Sequence, residues 1–378
     1  MKSDETHRAP TLKDVGKQAG VSYQTVSRVM NGSERVSPAT RDLVVAAAQQ
    51  LGFRMNRVAG SLRTNRSRTI GLVMSDVANL FFAEVVGGVE AEAALNDYSV
   101  ILANSGEDLE RERTAVMGLM ERRVDGLIVA PAEGDHGYME RDLPERLPLV
   151  AINRMIEEFV CGAVLSDNEG GARLAVQYLL ERGHTRIGAL SGSRGLMTSR
   201  ERVAGFKAAL KSAHIPVRRD WIRFGGLQAS SAYIAALALL DTEDRPSALF
   251  ATSNTIAEGA LLAMRELGLQ RNRDVEVICF DDVPWARLVD PPMPVIAQDT
   301  HQIGRIAVRM LLGLIGHDGS QAEIVRLPTR LMTNEIVLPA RASKPPAAPR
   351  PVAGAAPLKR ERKASGANPK IRSTGEVS

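Results

Sequence analysis

From Thr11 to Leu51 the apolar positions come in short helical bursts broken by turn residues. Thr11 with Asp14 makes a T-x-x-D start, and Leu12, Val15 and Ala19 follow at helical spacing until Gly20. Ser22 can cap a second helix whose inner face carries Val26 and Val29, and Asn31-Gly32 ends it. Ser37-Pro38 opens a third, with a cap followed by proline at the first helical position. A helix, a glycine-containing turn and a second short helix form the helix-turn-helix pattern, whose second helix lies in the DNA major groove. The outer face of that second helix holds Tyr23, Gln24, Thr25, Ser27 and Arg28. Gln24 can pair with a base edge, Arg28 can hold guanine bidentately, and Tyr23 can reach a phosphate. A solvated amphipathic helix would show the same polar face, so this helix alone leaves the two readings level.

Beyond residue 66 the pattern changes to short apolar runs alternating with amphipathic stretches. Strands are expected at 69–74, 98–103, 126–130, 149–152, 163–165, 186–190, 247–251, 276–280 and 295–297. Helices are expected at 81–95, 109–122, 170–182, 199–212, 230–240, 255–267 and 303–315. Such alternation means parallel sheets covered on both faces. The stretch is long for one sheet and predicts two similar α/β lobes with a cleft between them. The expected fold class is therefore an N-terminal all-α helix-turn-helix domain, residues 11–55, a short basic connection at 56–66, and a two-lobed α/β domain at 69–340. Residues 341–378 are rich in Pro, Ala, Lys and Arg and cannot form a core, so they read as a basic disordered tail. That tail either adds nonspecific DNA affinity or merely solubilises.

Charge supports this division. The net charge of +4 hides an asymmetry: residues 1–66 have a surplus of six positive charges, residues 341–378 a surplus of seven, and the middle is nine negative. Basic ends on an acidic body assign nucleic-acid contact to an end. Two cysteines, Cys161 and Cys279, stand far apart beside apolar residues and read as packed thiols of a reducing compartment. No run approaches membrane-spanning length and no signal-peptide core opens the chain, so a cytoplasmic protein is expected.

Residues 56–66, NRVAGSLRTNR, are basic and carry one prominent apolar residue, Leu62. Basic residues around a lone leucine suit a minor-groove wedge, and equally a flexible linker. T-L-K-D-V-x-x-x-A-G-V-S-Y-Q-T-V-S-R-V-x-N, V-S-P-A-T-R and N-R-V-A-x-x-L together resemble the lactose-repressor (LacI/GalR) family of bacterial transcription regulators. The likeness continues through IGLVMSDVANLFFAEVVGGVE, VDGLIVAP, RVAGFKAAL and CFDDVPWARLVDPPMPVIAQD, covering residues 11–338. It implies that residues 56–66 are a hinge helix, formed on operator DNA, and that a periplasmic-binding-protein-like effector domain of two lobes joined by crossing strands follows. It implies DNA contacts from Thr11, Ser22, Tyr23, Gln24, Thr25, Ser27, Arg28, Asn31, Asn56, Arg57, Ala59 and Leu62, with Leu62 intercalating at the operator centre. It further implies a homodimer on near-palindromic double-stranded operator DNA. The leucine-rich helix that makes some members tetramers has no counterpart in this sequence.

Ligands of open parallel sheets bind beyond the carboxyl ends of the strands, which directs attention to polar residues just after strands. These are Ser75-Asp76, Asn104, Asn153-Arg154, Asp167-Asn168, Ser253-Asn254 and Asp281-Asp282, joined by Arg200 before the R-V-A-G-F helix. Phe82 and Trp285 can cover an apolar sugar face. The resemblance places Arg200 and Asp281 on sugar-hydroxyl positions and Asn79, Phe82, Arg154, Asp167 and Ser253 near the effector. Each has a plainer reading: Asp167-Asn168 as a helix cap, Asp282 as a turn residue, Trp285 as a core anchor, Arg200 in a surface ion pair. His184 reads as structural. The sequence departs from many relatives at Ser253-Asn254 and at Asn153, and both bear on which effector binds. Gly192-Ser193-Arg194-Gly195 is a weak phosphate-loop hint. No catalytic set appears: the histidines are scattered, and H-x-x-x-H, C-x-x-C and G-x-S-x-G are absent. Neither cofactor nor metal is expected.

The function read from these residues is a sequence-specific repressor of a carbohydrate-catabolism operon, released by a small sugar-like effector. A nucleobase or other metabolite acting as corepressor is the alternative within the same family. A periplasmic sugar-transport component and a sugar-active enzyme compete from outside it. The DNA-reading N-terminus counts against the first, and the missing acid/base set against the second.

Overall fold

The structure is a computed structural model and describes residues 10–30, 33, 35–53, 66–144, 147–316 and 323–333. Its N-terminal helices are α1 (Leu12–Ala19), α2 (Tyr23–Met30) and α3 (Pro38–Gln50). The capping box at Thr11 forms in full: the Asp14 carboxylate accepts from Thr11 N at 2.7 Å, and the Thr11 hydroxyl accepts from Asp14 N. Gly20 takes φ 67°, the left-handed conformation that lets the chain leave α1 sharply. Ser22 Oγ accepts from Thr25 N at 3.2 Å and starts α2. Val15, Val26, Val29 and Val44 are buried together with Ala47 and Ala48, and Leu12 and Phe53 pack against them. This small core holds the three helices.

The first lobe is built on β1 (Thr69–Met74), β2 (Ser99–Asn104), β3 (Gly126–Val129), β4 (Leu149–Ile152) and β5 (Gly162–Ser166), with α4 (Leu80–Leu95), α5 (Leu109–Glu121) and α6 (Gly137–Asp142). The second comprises β6 (Ile187–Ser191), β7 (Ile222–Phe224), β8 (Ala248–Ala251), β9 (Glu276–Phe280) and β10 (Val295–Ala297), with α7 (Asn168–Glu181), α8 (Met197–Ser212), α9 (Ala229–Leu240) and α10 (Asn254–Glu266). The chain then returns to the first lobe through α11 (Thr300–Gly316) and β11 (Ile324–Leu327) and ends its described part in the second with β12 (Arg330–Met332). Sheet orders are β2-β1-β3-β4-β5-β11, all parallel, and β7-β6-β8-β9-β10-β12, with only β12 antiparallel. Residue 167, residues 298–299 and residues 328–329 carry the chain between lobes.

Each sheet is covered on both faces. In the first lobe α4 and α11 bury one face, with Val85, Val89, Ile303 and Leu311 over Ile70, Leu72 and Val150. On the other face α5 and α6 bring Val116, Leu119 and Met139 onto Val73, Leu127 and Ala151. In the second lobe α9 and α10 cover Leu249, Val277 and Cys279, while α7 and α8 cover Ala189, Phe250 and Ile278. Both cysteines are free and buried, as two packed thiols should be. The central strands β1, β3, β4, β8 and β9 are therefore almost wholly apolar, as strands covered on two sides must be.

Candidate functional site

Two constellations emerge, one on α2 and one between the lobes. On α2, Tyr23 is 53 % exposed and Gln24 and Arg28 are exposed, while Thr25 and Ser27 are half-buried. Gln24, Ser27 and Arg28 stand at i, i+3 and i+4, one stripe opposite Val26 and Val29. Thr11 and Ser22 serve first as helix caps; the Thr11 hydroxyl donates to Asp14 at 2.6 Å. Asn31, Asn56, Arg57, Ala59 and Leu62 lie outside the described residues.

Between the lobes lies a cavity of about 70 Å³. The first lobe lines it with Asp76, Asn79, Phe81, Phe82, Glu107, Asn153 and Arg154, and the second with Thr198, Arg202, Leu227, Ser253, Thr255 and Asp281, while Gln298 comes from a crossing segment. Most of these follow a strand or start a helix, because the carboxyl ends of both sheets face the cleft. Asn79 caps α4, accepting from Phe81 N at 3.0 Å, and the same oxygen accepts from Asn254 Nδ2 at 2.8 Å across the cleft. Phe82 is buried edge-to-face against Phe81, with ring centroids 5.0 Å apart. Ser253 caps α10. Asn153 and Asp281, each the first residue after a strand, hold φ of 65° and 85°. Left-handed backbone at a non-glycine is costly and is retained where surrounding structure fixes a functional side chain.

The electrostatics centre on Asp281 and Arg202, both buried. The Asp281 carboxylate accepts from Gln298 Nε2 at 2.6 Å and from Asn254 N at 3.2 Å. Burial pushes its pKa above the ordinary value, while the Arg202 guanidinium and those hydrogen bonds pull it down. Arg202 donates through Nε to Asn168 Oδ1 at 2.8 Å and through Nη1 to Thr252 O, and its guanidinium lies 3.7 Å from the Phe280 ring centroid. Burial lowers its pKa, and Asp281 opposes that. Among the described residues, Asn254 Oδ1, Gln298 Oε1, Ser75 Oγ and Arg154 Nε are buried without a hydrogen-bond partner. Atoms elsewhere, such as Arg271 Nε and Gln302 Oε1, share this state, so the cavity is marked by its polar lining and not by these atoms alone.

Several sequence-predicted residues sit elsewhere. Arg200 lines an adjoining cavity of about 100 Å³ between the lobes, shared with Arg154, where it pairs across the lobes with Glu157 at 2.8 Å and donates to Gly195 O. The buried cation that the second lobe brings to the cavity of about 70 Å³ is Arg202. Helical phase separates the two: Arg202 shares the buried face of α8 with Phe206 one turn on, while Arg200, two residues earlier, lies on the exposed side of the helix. Arg154 reaches the cleft wall, but its guanidinium is occupied by Glu107, at 2.7 Å to each carboxylate oxygen, and by Pro131 O at 2.7 Å. Asp167 caps α7 through Gly170 N at 2.8 Å, on a crossing segment rather than on the cavity wall. Asn168 bridges Arg202 and Glu201, Asp282 pairs with Arg287, and Trp285 packs on the second-lobe core. His184 is held by Ser247 and Glu276 at 3.0 and 2.8 Å, a structural role. Glu107, Thr198, Leu227, Thr255 and Gln298 were not anticipated; Gln298, directly after β10, obeys the post-strand rule and was legible.

Comparison with known proteins identifies the two parts of the chain. Residues 11–56 match the model of bacterial regulatory proteins, lacI family, and residues 176–335 that of a periplasmic binding protein-like domain. The chain is 34 % identical over 328 residues to the HTH-type transcriptional repressor PurR of Vibrio vulnificus, covering 86 % of this chain and 98 % of that protein. A crystal structure assigned as a ribose operon repressor from Burkholderia thailandensis is 51 % identical, with TM-score 0.67, covering 71 % of this chain and 100 % of that one. The lac repressor dimer bound to operator and an anti-inducer superposes with TM-score 0.76 at 30 % identity, covering 86 % of this chain and 98 % of that one. With nearly the full length of the repressor PurR matched at this identity, the chain belongs to the LacI family of bacterial regulatory proteins.

Proposed function

We propose that this regulator is a cytoplasmic homodimer that represses transcription from a near-palindromic operator and is released when a sugar of pentose or hexose size binds between its lobes. The observation that carries the reading is the cleft: a buried carboxylate and guanidinium, amides from both lobes and the Phe82 ring converge on one cavity. Sugars need paired donors and acceptors for hydroxyls and an apolar surface for the ring face. The relatives lend support, one being assigned to a ribose operon and another crystallised as a dimer on operator DNA. Tyr23, Gln24, Ser27 and Arg28 read base edges and phosphates, helped by the basic hinge, whose Leu62 wedges into the central base step.

At about 70 Å³ the cavity is far smaller than the roughly 300–1,000 Å³ of common ligand sites. With the adjoining cavity of about 100 Å³ that shares Arg154, the space is still small, and in this reading a sugar is admitted by a rearrangement of the lobes. That rearrangement gives the ligand different affinity for two states of the protein, the sole source of leverage over DNA binding. Differential scanning fluorimetry against aldopentoses, aldohexoses, sugar acids and nucleobases tests the reading. A ligand at about 100 times its Kd adds roughly 2.7 kcal/mol to the folded state. The same ligands are then added to an operator titration: an inducing sugar weakens binding. A nucleobase that stabilises the protein and strengthens operator binding supports corepression instead.

A further inference from the structure

A cavity of about 920 Å³ lies away from the cleft, on the outer surface of the second lobe. The end of α8, the loop after it and β7 enclose it. Val203, Phe206 and Leu210 fix α8 on the sheet, which turns Lys207 and Lys211, one turn apart, outward onto the cavity rim. His214, with φ 57°, turns the chain out of the helix and adds a third basic group. Arg219 lines the cavity as well, and Arg194, from the loop after β6, lies 4.0 Å from the Phe224 ring centroid on its wall. The floor is apolar, made by Ile215, Val217, Ile222 and Phe224.

Five basic side chains thus face one cavity, and no carboxylate lines it. Among the described residues none of the five is in an ion pair. The neighbouring acids are spoken for: Asp220 is held by Arg218, and Asp244 by Arg218 and Arg186. On a body nine charges negative overall, such a cluster repels itself unless an anion joins it. The volume falls in the range of small-molecule sites, and an apolar floor beneath a basic rim fits a molecule with a flat or apolar part and a charged end.

We propose that this cavity is a second ligand site, distinct from the cleft, for a phosphate monoester carried on an apolar or planar body, such as a nucleotide or another phosphorylated metabolite. Lys207, Lys211 and Arg219 hold the phosphate through charge-assisted hydrogen bonds. Phe224 and the Arg194 guanidinium above it provide a stacking wall. The site does not depend on what the cleft binds.

The probe is AMP, titrated calorimetrically into the full-length protein at low salt in a phosphate-free buffer. The proposal predicts saturable binding of one AMP per chain, weakened at least about tenfold by the double substitution Lys207→Glu with Lys211→Glu and unchanged by Asp281→Asn in the cleft. Adenosine and inorganic phosphate should each bind more weakly than AMP. Both lysines are exposed, so the double variant keeps its fold, checked by an unchanged melting temperature. Absence of saturable AMP binding overturns the proposal. So does AMP binding lost in Asp281→Asn but kept in the lysine variant, which assigns the ligand to the cleft. Binding of polyglutamate without binding of AMP also overturns it, since the surface would then serve an acidic polypeptide.

Discussion

Asp281 concentrates the energetic tension of the cleft in one side chain. Its backbone is left-handed, its carboxylate is buried, and burial raises its pKa above the ordinary 3.8. For an acid whose folded-state pKa is raised, the native state holds the proton more tightly than the unfolded chain. The contribution to stability is complete below the unfolded value and is lost as pH rises through the folded one. Asp281→Asn should therefore raise the melting temperature at pH 7, and the gain should vanish below about pH 4. The amide is accommodated because Gln298 Oε1 is a buried acceptor without a partner, so a turned Gln298 amide can accept from the new Nδ2. Melting curves of both proteins across pH check this, at about 2–4 °C per kcal/mol; a variant less stable than wild type at pH 7 contradicts it. On α2 the corresponding residue is Arg28. Arg28→Ala should cost about 1–3 kcal/mol per half-site and relax preference at one base pair, read by selection of operator sequences with each protein. An unchanged selected sequence would remove Arg28 from base reading.

At the scale of elements, helix pairs on the sheets pack unusually close. A Cβ on Gly304 of α11 would meet Val85 O at 2.4 Å, and one on Gly88 of α4 would meet His301 O at 2.3 Å. The two backbones touch where the returning helix docks, so Gly304→Val must pry α11 from α4. A cost of about 1–3 kcal/mol is expected from overpacking, seen as a lower urea midpoint. An unshifted midpoint would show that the helices slide apart freely. The nine apolar runs read from the sequence all became strands: eight are buried within the sheets, and the edge strand β2 keeps an apolar run although its side chains lie half in water. The three strands that went unread explain themselves. β7 and β12 have three residues each, and β11, Ile-Val-Arg-Leu, lies at a sheet edge with its side chains half in water. The six-residue α6 is likewise too short for its period to register. The site was half legible: the post-strand rule finds Asp281 and Ser253, and helix caps find Asn79. It cannot choose between Arg200 and Arg202, since that depends on the phase of α8 against its sheet.

At the scale of the whole molecule, the lobes are joined by three crossings and by few polar contacts. Asn254 reaches Asn79 across the cleft at 2.8 Å, and Arg326 of β11 holds Glu201 of α8 at 2.9 Å. Such contacts are individually modest, so the lobes can exchange between arrangements that differ by a few kcal/mol, the range in which a small ligand can decide the balance. In the proposed reading, DNA contact falls to the basic N-terminal end and not to the acidic body. Effector and operator then act on separate parts of one chain, linked through the lobes. The direct measurement is an operator titration with and without D-ribose, on wild type and on Arg202→Gln. The account predicts that ribose weakens wild-type binding by about 5- to 150-fold. The variant should bind the operator as wild type does without sugar and fail to release with it. Release of Arg202→Gln at the same ribose concentration as wild type, or operator binding strengthened by a nucleobase and indifferent to every sugar, would contradict it.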